Sequence, residues 1–296
     1  MPELPEVETV RRELEPLIRG RQITGFTLDA SATRLLRGRS VPEVRAELAG
    51  RIFTAVRRRG KYLGLELDDQ RCCVVHLRMT GSLRFRLPEH PPEPFTRAVF
   101  ELDEGYELRF VDVRKFGTID VVDQMVDALP ELGPEPLSDE FTVDALWHAL
   151  RGRQAPLKAA LLDQRNIAGI GNIYADEALF LSHLHPEVPA GSLRPPERRL
   201  LHAAIREVLD EGVRHGGASF RDYTNVEGEE GEQQYYVRVF RRTDQPCDSC
   251  TATIRRIIVG GRATHWCPKC QSARQRTRKV NSKRPRSQSP RSLPQD

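Results

Sequence analysis

No stretch of this 296-residue chain is long and apolar enough to span a membrane, and its opening MPELPEVETV is charged throughout. Both features exclude a membrane anchor and a secretory signal peptide, so a reducing cytoplasm is the expected location. Surplus charge is also scarce outside one segment. The formal charge is +4, residues 274–296 hold eight Lys or Arg against one Asp, and the remainder is therefore near −3. Overall charge gives no argument for nucleic acid; local clusters must supply it. Cysteine is sparse too, with six in all. Cys72 and Cys73 stand side by side in an apolar run, where strand neighbours face opposite ways, and they read as reduced thiols packed in a core. The other four form a spaced quartet.

What the chain does contain begins at residue 2. If Met1 is removed, Pro2 becomes a free secondary amine, and Glu3 places a carboxylate directly beside it. A terminal amine has a reference pKa near 8 against roughly 10.4 for lysine, so about a tenth of it is neutral at pH 7 and able to attack a carbonyl carbon. The same residues also simply open a helix. Pro5 suits a first turn, Leu4, Val7, Val10, Leu14, Leu17 and Ile18 recur at helical spacing, and Gly20 can end it.

At this length, with 39% apolar residues, the chain can hold two domains with real cores. Residues 22–120 read mostly as strands: Ile52–Val56, Tyr62–Leu67, Cys73–Leu77, Ala98–Leu102 and Glu107–Val111 are short runs, and Asp103-Glu104-Gly105 reads as a hairpin turn. Such spacing suggests a β-sandwich. The pattern fades over 121–137, which ends in the proline-rich GPEPLS, a domain boundary. Helical spacing then governs Val143–Leu150, Leu157–Leu162, Ala175–Leu181 and Glu197–Val213. Before the third of these, Ile167-Ala168-Gly169-Ile170-Gly171-Asn172 sets backbone N–H groups at a positive helix end, a place that suits an anion such as phosphate. The acidic stretch TNVEGEEGEQQ, 224–234, reads as a mobile loop.

The strongest local signal is Cys247-x-x-Cys250, sixteen intervening residues, then Cys267-x-x-Cys270. This spacing predicts one zinc held by four thiolates, a structural ion with no open position, with Thr253–Val259 and Arg262–Trp266 as a hairpin between the pairs. Disulfides are the competing reading, which a reducing compartment disfavours. Arg262 would stand just past the Gly260-Gly261 turn, with Arg255 and Arg256 on the preceding strand, and guanidinium groups on a rigid hairpin suit phosphate. Residues 272–296 read as a basic disordered tail that attracts DNA without reading its sequence, or as a solubilising appendage.

In sequence these motifs run MPELPEVET, RRGKYL at 58–63, HLRMTGSLR at 76–84, DVRKFG at 112–117, GPEPLSDEF at 133–141, LLDQRNIAGIGNIYADEALF at 161–180 and the finger with GRATHWCPKCQ. Together they resemble the bacterial formamidopyrimidine-DNA glycosylase and endonuclease VIII family, from residue 1 to about 271. The resemblance implies an α+β multidomain chain: an N-terminal β-sandwich flanked by helices (1–125), a linker (126–138), a helix-two-turns-helix domain (139–236) and a zinc finger (237–271). It implies a monomer working on double-stranded DNA with oxidised bases or abasic sites, acting as glycosylase and abasic-site lyase through β,δ-elimination.

Carried over by position, Pro2 is the nucleophile on C1′, Glu3 the acid at the sugar oxygen, Lys61 a cation near the lesion and Arg262 the finger arginine that assists elimination. Lys158 and Asn172 match contacts to flanking phosphates, and Arg153 a basic DNA contact. Met79, Arg114 and Phe116 match the trio that fills the void left by a flipped base, which favours oxidised purines opposite cytosine; the alternatives are an endonuclease VIII-like glycosylase with altered base preference and a non-catalytic zinc-ribbon DNA-binding protein. The chain departs from the family pattern at Pro94-Phe95-Thr96-Arg97, where KHDH is usual, and at 239–247, where VYGRxGxPC is usual and both glycines are replaced.

Overall fold

The computed structural model describes residues 1–272, Pro88 and Arg221 excepted. Its first helix, α1 (Leu4–Ile18), starts where Glu6 turns back to accept the Glu3 N–H at 2.7 Å, satisfying a donor that a helix start leaves orphaned. The apolar stripe Val7, Val10, Leu14 and Ile18 is fully buried, and Gly20 at φ 85° turns the chain away.

Next come β1 (Ile23–Leu28) and α2 (Val41–Leu48), then β2 (Phe53–Arg59), β3 (Tyr62–Leu67), β4 (Cys72–His76), β5 (Gly81–Arg86), β6 (Thr96–Leu102), β7 (Glu107–Asp112) and β8 (Thr118–Val122). The five strands read from sequence are all present, β3 with the bounds read and the other four with ends shifted by one to three residues. Three further strands and one helix complete this half. Helix α2 carries its own start signal: the Ser40 hydroxyl accepts the Glu43 N–H at 3.4 Å and the Glu43 carboxylate accepts the Ser40 N–H at 2.9 Å.

The strands form two antiparallel four-stranded sheets, ordered β1-β6-β7-β5 and β2-β3-β4-β8. Phe26, Phe53, Phe100 and Phe110 fill the space between them, with the stripe of α1 closing one side. Cys73 lies in this core. Cys72 points outward, yet Val74 and Ala128 bury it, the latter in the turn Met125–Ala128. Burial pushes the Cys72 thiol up to about 12 and that of Cys73 well above its ordinary value, so both stay protonated, as their place in a core requires.

Beyond residue 138 the chain is helical: α3 (Val143–Leu150), α4 (Leu157–Leu162), α5 (Asn172–Leu181) and α6 (Pro195–Arg214). These pack around Tyr174, Leu161 and Ile170, and Ile205 and Leu209 of α6 are fully buried in the same core. Leu4, at the start of α1, belongs to this second core rather than to the sandwich, so one helix spans both halves. The finger hairpin, β9 (Arg255–Val259) and β10 (Arg262–Trp266), pairs antiparallel across the Gly260-Gly261 turn. Just before it, Arg241 and Asp244 hold φ of 60° and 65°, a left-handed conformation that favours glycine.

The stretch 224–234 differs from the mobile loop expected. The Asn225 side-chain oxygen accepts the N–H groups of Glu227, Gly228 and Glu229, Val226 is fully buried in the sandwich core, and buried Gln233 meets His215 at 2.7 Å. Its acidic side chains mark the outer face of a braced turn. The basic tail read at 272–296 lies, from residue 273 on, outside the described residues. Among the described residues no helix is long and apolar enough to cross a membrane.

Candidate active site between the sandwich and the helical half

The two halves meet at the start of α1. The Leu4 N–H donates to the Gly169 carbonyl at 3.0 Å, and the Gln164 side chain holds the same loop by accepting the Gly169 N–H and donating to the Ile170 carbonyl. Glycine is required here for space. A Cβ at Gly169 would lie 2.6 Å from Leu4 Cδ1, and one at Gly171 would lie 2.2 Å from Glu3 Cδ. The helix end that sequence reading assigned to an anion is occupied by Glu3 itself: its carboxylate accepts the Ile173 N–H at 3.1 Å and the Tyr174 N–H at 3.4 Å. The positive end of α5 is thus spent on a side chain of this chain, which corrects the phosphate expectation.

Glu3 is 4% exposed, and burial pushes its carboxyl up to about 7. The nearby Lys61 ammonium and the two helix N–H groups work against that rise, and the Glu6 charge adds to it. Lys61 is buried as well, with Nζ donating to the Ile170 carbonyl at 2.9 Å. Burial lowers its pKa, while the Glu3 and Glu6 carboxylates raise it. Pro2 is buried at the head of the same helix. Pro2, Glu3 and Lys61 therefore gather in one low-dielectric place.

Several supporting residues were not singled out from sequence. Glu6 accepts the Tyr174 hydroxyl at 2.8 Å and the Ala218 N–H at 2.8 Å, tying α1 to α5 and to the chain after α6. Glu135, in the proline-rich boundary, accepts Arg58 at 2.5 Å, Arg59 at 3.0 Å and the Gly60 N–H at 2.9 Å, and so fixes the turn that presents Lys61. His76 lies edge-on to Tyr62, with burial first and then the Arg78 and Lys61 charges pushing it down to about 3, so it is a neutral acceptor for the Arg78 N–H. The only sequence signal for Glu6 was its place three residues after a helix cap; Glu135 offered none, because its partners lie more than seventy residues away.

Met79, Arg114 and Phe116 come together on the surface. The Arg114 guanidinium stands 4.7 Å from the Phe116 ring centroid and 3.3 Å from Met79 Sδ, and all three are exposed. Buried Asp112 shapes this turn by accepting the Arg114 and Gly117 N–H groups.

The finger is clasped to α5. Lys158 and Asp176, both fully enclosed, pair at 2.6 Å; Asp176 also accepts the His265 N–H at 2.9 Å. Lys158 and Asn172 both donate to the Ala263 carbonyl, at 2.8 and 3.0 Å. Lys158 thus has no surface of its own, whereas Arg262 is exposed beyond this clasp. Arg153 lies apart, its Nε on the Ala149 carbonyl. The Sγ atoms of Cys247, Cys250, Cys267 and Cys270 all lie within 4.8 Å of one another. Tetrahedral zinc with Zn–S bonds of about 2.3 Å needs sulfurs roughly 3.8 Å apart. The set fits one structural zinc, with no position left for a substrate.

Comparison with known proteins agrees along the chain. The family model for the formamidopyrimidine-DNA glycosylase N-terminal domain matches residues 1–119, that for the H2TH domain of the same enzymes 132–224, and that for the zinc finger found in FPG and IleRS 244–273. The formamidopyrimidine-DNA glycosylase of Chloroflexus aurantiacus is 45% identical over 273 residues, covering 92% of this chain and 98% of its own. That of Symbiobacterium thermophilum is 46% identical over 275 residues, covering 92% and 89%. A crystal structure of a Lactococcus lactis FPG variant with Fapy-dG-containing DNA superposes with a TM-score of 0.84 at 37% identity, covering 92% of this chain and all of that one. Lactococcus lactis Fpg with abasic-site DNA gives 0.83 at 36%, with the same coverage.

Proposed function

Since this chain belongs to the formamidopyrimidine-DNA glycosylase family and is a base-excision glycosylase, we propose that its chemistry runs through Pro2 and Glu3 on oxidised purines in duplex DNA. The observation that carries this reading is the Glu3 carboxyl, enclosed beside Pro2 and Lys61 with its pKa pushed up to about 7, where an acid can still hold its proton near neutrality.

In the proposed sequence, the damaged nucleotide leaves the duplex, because Pro2 cannot reach C1′ of a stacked residue. The neutral Pro2 nitrogen bonds to C1′ as the glycosidic bond breaks, and the departing base takes up the proton that the Pro2 nitrogen sheds. Glu3 gives its proton to the ring oxygen O4′ as the C1′–O4′ bond opens, leaving an imine between Pro2 and the sugar. The imine draws electrons from C2′–H. Loss of that proton expels the 3′ phosphate, and a second elimination expels the 5′ phosphate, with no metal involved in the steps. The four cysteines would hold zinc only to rigidify the hairpin.

Lys61 and Arg262 stabilise the departing phosphates. Asn172, at the same junction, and exposed Arg153 contact the flanking strand. We assign enclosed Lys158 to holding β10 on α5, so it acts on the phosphates through the finger. Met79, Arg114 and Phe116 fill the vacated position, Arg114 facing the orphaned cytosine. The enzyme works where the chromosome lies, in the cytoplasm.

Trapping tests the assignment. Borohydride added during reaction with an 8-oxoguanine duplex should fix a protein–DNA adduct at residue 2, provided that mass spectrometry shows Met1 removed. Pro2→Gly, which keeps an α-amine, should trap in part, and an acetylated terminus should not trap. An adduct at Lys61 with Pro2 unmodified would refute the nucleophile.

A further inference from the structure

A cavity of about 570 Å³ opens between the chain after α6 and the base of the finger, lined among others by Phe220, Tyr235, Tyr236, Phe240, Arg241 and Arg242. Arg242 is already committed, pairing with Asp248 and donating to the Pro246 and Arg238 carbonyls. Arg241 has no carboxylate partner among the described residues. Its guanidinium lies 4.8 Å from the Phe220 centroid and 5.9 Å from that of Phe240, with Nη1 3.5 Å from the Phe220 carbonyl. Tyr235 stands 77% exposed at the rim, and Tyr236 has one face stacked on His215 at 3.8 Å.

Arg241 also sits at φ 60°, where a side chain is strained and glycine is not. The strain lies in the Arg241 backbone, and its exposed guanidinium, braced on two rings and the Phe220 carbonyl, meets no carboxylate among the described residues. The site lies near the chemistry. Phe240 meets the His265 ring of β10 at 5.2 Å, and Phe220 is two residues from Ala218, whose N–H binds Glu6.

We propose that this cavity is a second nucleotide subsite, separate from the Pro2 pocket, in which Arg241 takes a strand phosphate and Tyr235 stacks the attached base. The chemistry matches the parts: a planar cation for phosphate and an open aromatic face for a base of any sequence. This rests on the DNA reading above.

The test uses the full chain with zinc and a lesion duplex across a salt series. Arg241→Gly relieves the backbone and should raise Tm by about 2–4 °C. It should weaken binding roughly five- to tenfold and shrink the salt slope by about 0.9, the loss of one phosphate contact. Tyr235→Ala should weaken binding at least about fivefold with the slope unchanged. Asp244→Gly, which relieves φ 65° close by, should raise Tm without weakening binding. Arg241→Gly with the wild-type affinity and slope overturns the proposal whatever its Tm. A wild-type chain without salt-dependent duplex binding would instead overturn the DNA reading itself.

Discussion

The pH dependence of base removal follows from two adjacent groups and can be worked out in advance. In the proposed mechanism, attack needs Pro2 neutral and ring opening needs Glu3 protonated. Glu3 is pushed up to about 7, while a free terminal amine titrates near 8. The productive state is therefore the minor one with the acid protonated and the amine bare. At pH 7.5 each group is about 24% in the required form, so about 6% of the enzyme is productive, and this product falls tenfold per unit on both sides well away from the centre. Under kcat/KM conditions, which report the free enzyme, excision from an 8-oxoguanine duplex should trace a bell centred near pH 7.5. A pre-formed abasic sugar exchanges with its open-chain aldehyde, which needs no acid at O4′, so trapping on it should lose the alkaline limb while keeping the acid one. Stability supplies an independent check. Raising a carboxyl pKa from 4.5 to about 7 means that ionisation is disfavoured in the fold, so stability is lost as pH rises through that window, by up to about 3 kcal/mol. Glu3→Gln cannot ionise, so its unfolding free energy relative to the wild type should improve by that order between pH 4.5 and pH 8.5, less whatever Lys61 loses with its carboxylate neighbour. An alkaline limb shared equally by both substrates, or a Glu3→Gln difference independent of pH, would refute the assignment of that limb to Glu3.

Three further outcomes are expected. Gly171→Ala places a Cβ 2.2 Å from Glu3 Cδ and should displace the carboxylate, cutting base excision roughly a hundredfold while abasic-site trapping survives; equal loss on both substrates would point to a collapsed cleft instead. Cys247→Ser should lose zinc by metal analysis together with duplex binding, and full binding by zinc-free protein would refute the structural role of the ion. Arg114→Ala should reduce discrimination between cytosine and adenine opposite 8-oxoguanine by roughly tenfold, since a guanidinium donates to cytosine acceptors and meets a donor on adenine; unchanged ratios in paired single-turnover assays would assign the reading to another residue.

How much the sequence revealed depended on the range of each interaction. Helices α3 and α4 and strands β3 and β10 have the bounds read from the sequence, because periodicity and turn residues act locally. The zinc quartet was legible for the same reason. Strands β1, β5 and β8 were not read: Gly25 interrupts β1, while β5 and β8 alternate, through Leu83-Arg84-Phe85-Arg86 and Ile119-Asp120-Val121, only over a few residues. Arg84 donates to the Asn225 carbonyl, Arg86 to that of Val226 and to Glu93. The turn at 224–234 looked mobile for its acidic composition, while its order comes from Asn225 and buried Val226. Glycines 169 and 171 read as a seat for an anion such as phosphate, but what sits there is the carboxylate of Glu3, from the other end of the chain.

That approach makes the acid's proton a property of the assembled cleft. Glu3 is dry only because α5 and its glycine loop close over α1, through Leu4 on Gly169, Glu6 on Tyr174 and Ala218, and Glu135 on the turn before Lys61. Were these contacts to open, water would reach the carboxylate, its pKa would return toward 4.5, and at pH 7.5 only about a thousandth of it would remain protonated. Against the roughly 24% held in the closed form, that is a loss of more than about a hundredfold in the acid. Opening would therefore silence base removal while leaving attack on an abasic sugar possible. In the proposed mechanism, closure of one interface separates the two activities, with Pro2 and Glu3 both left in place.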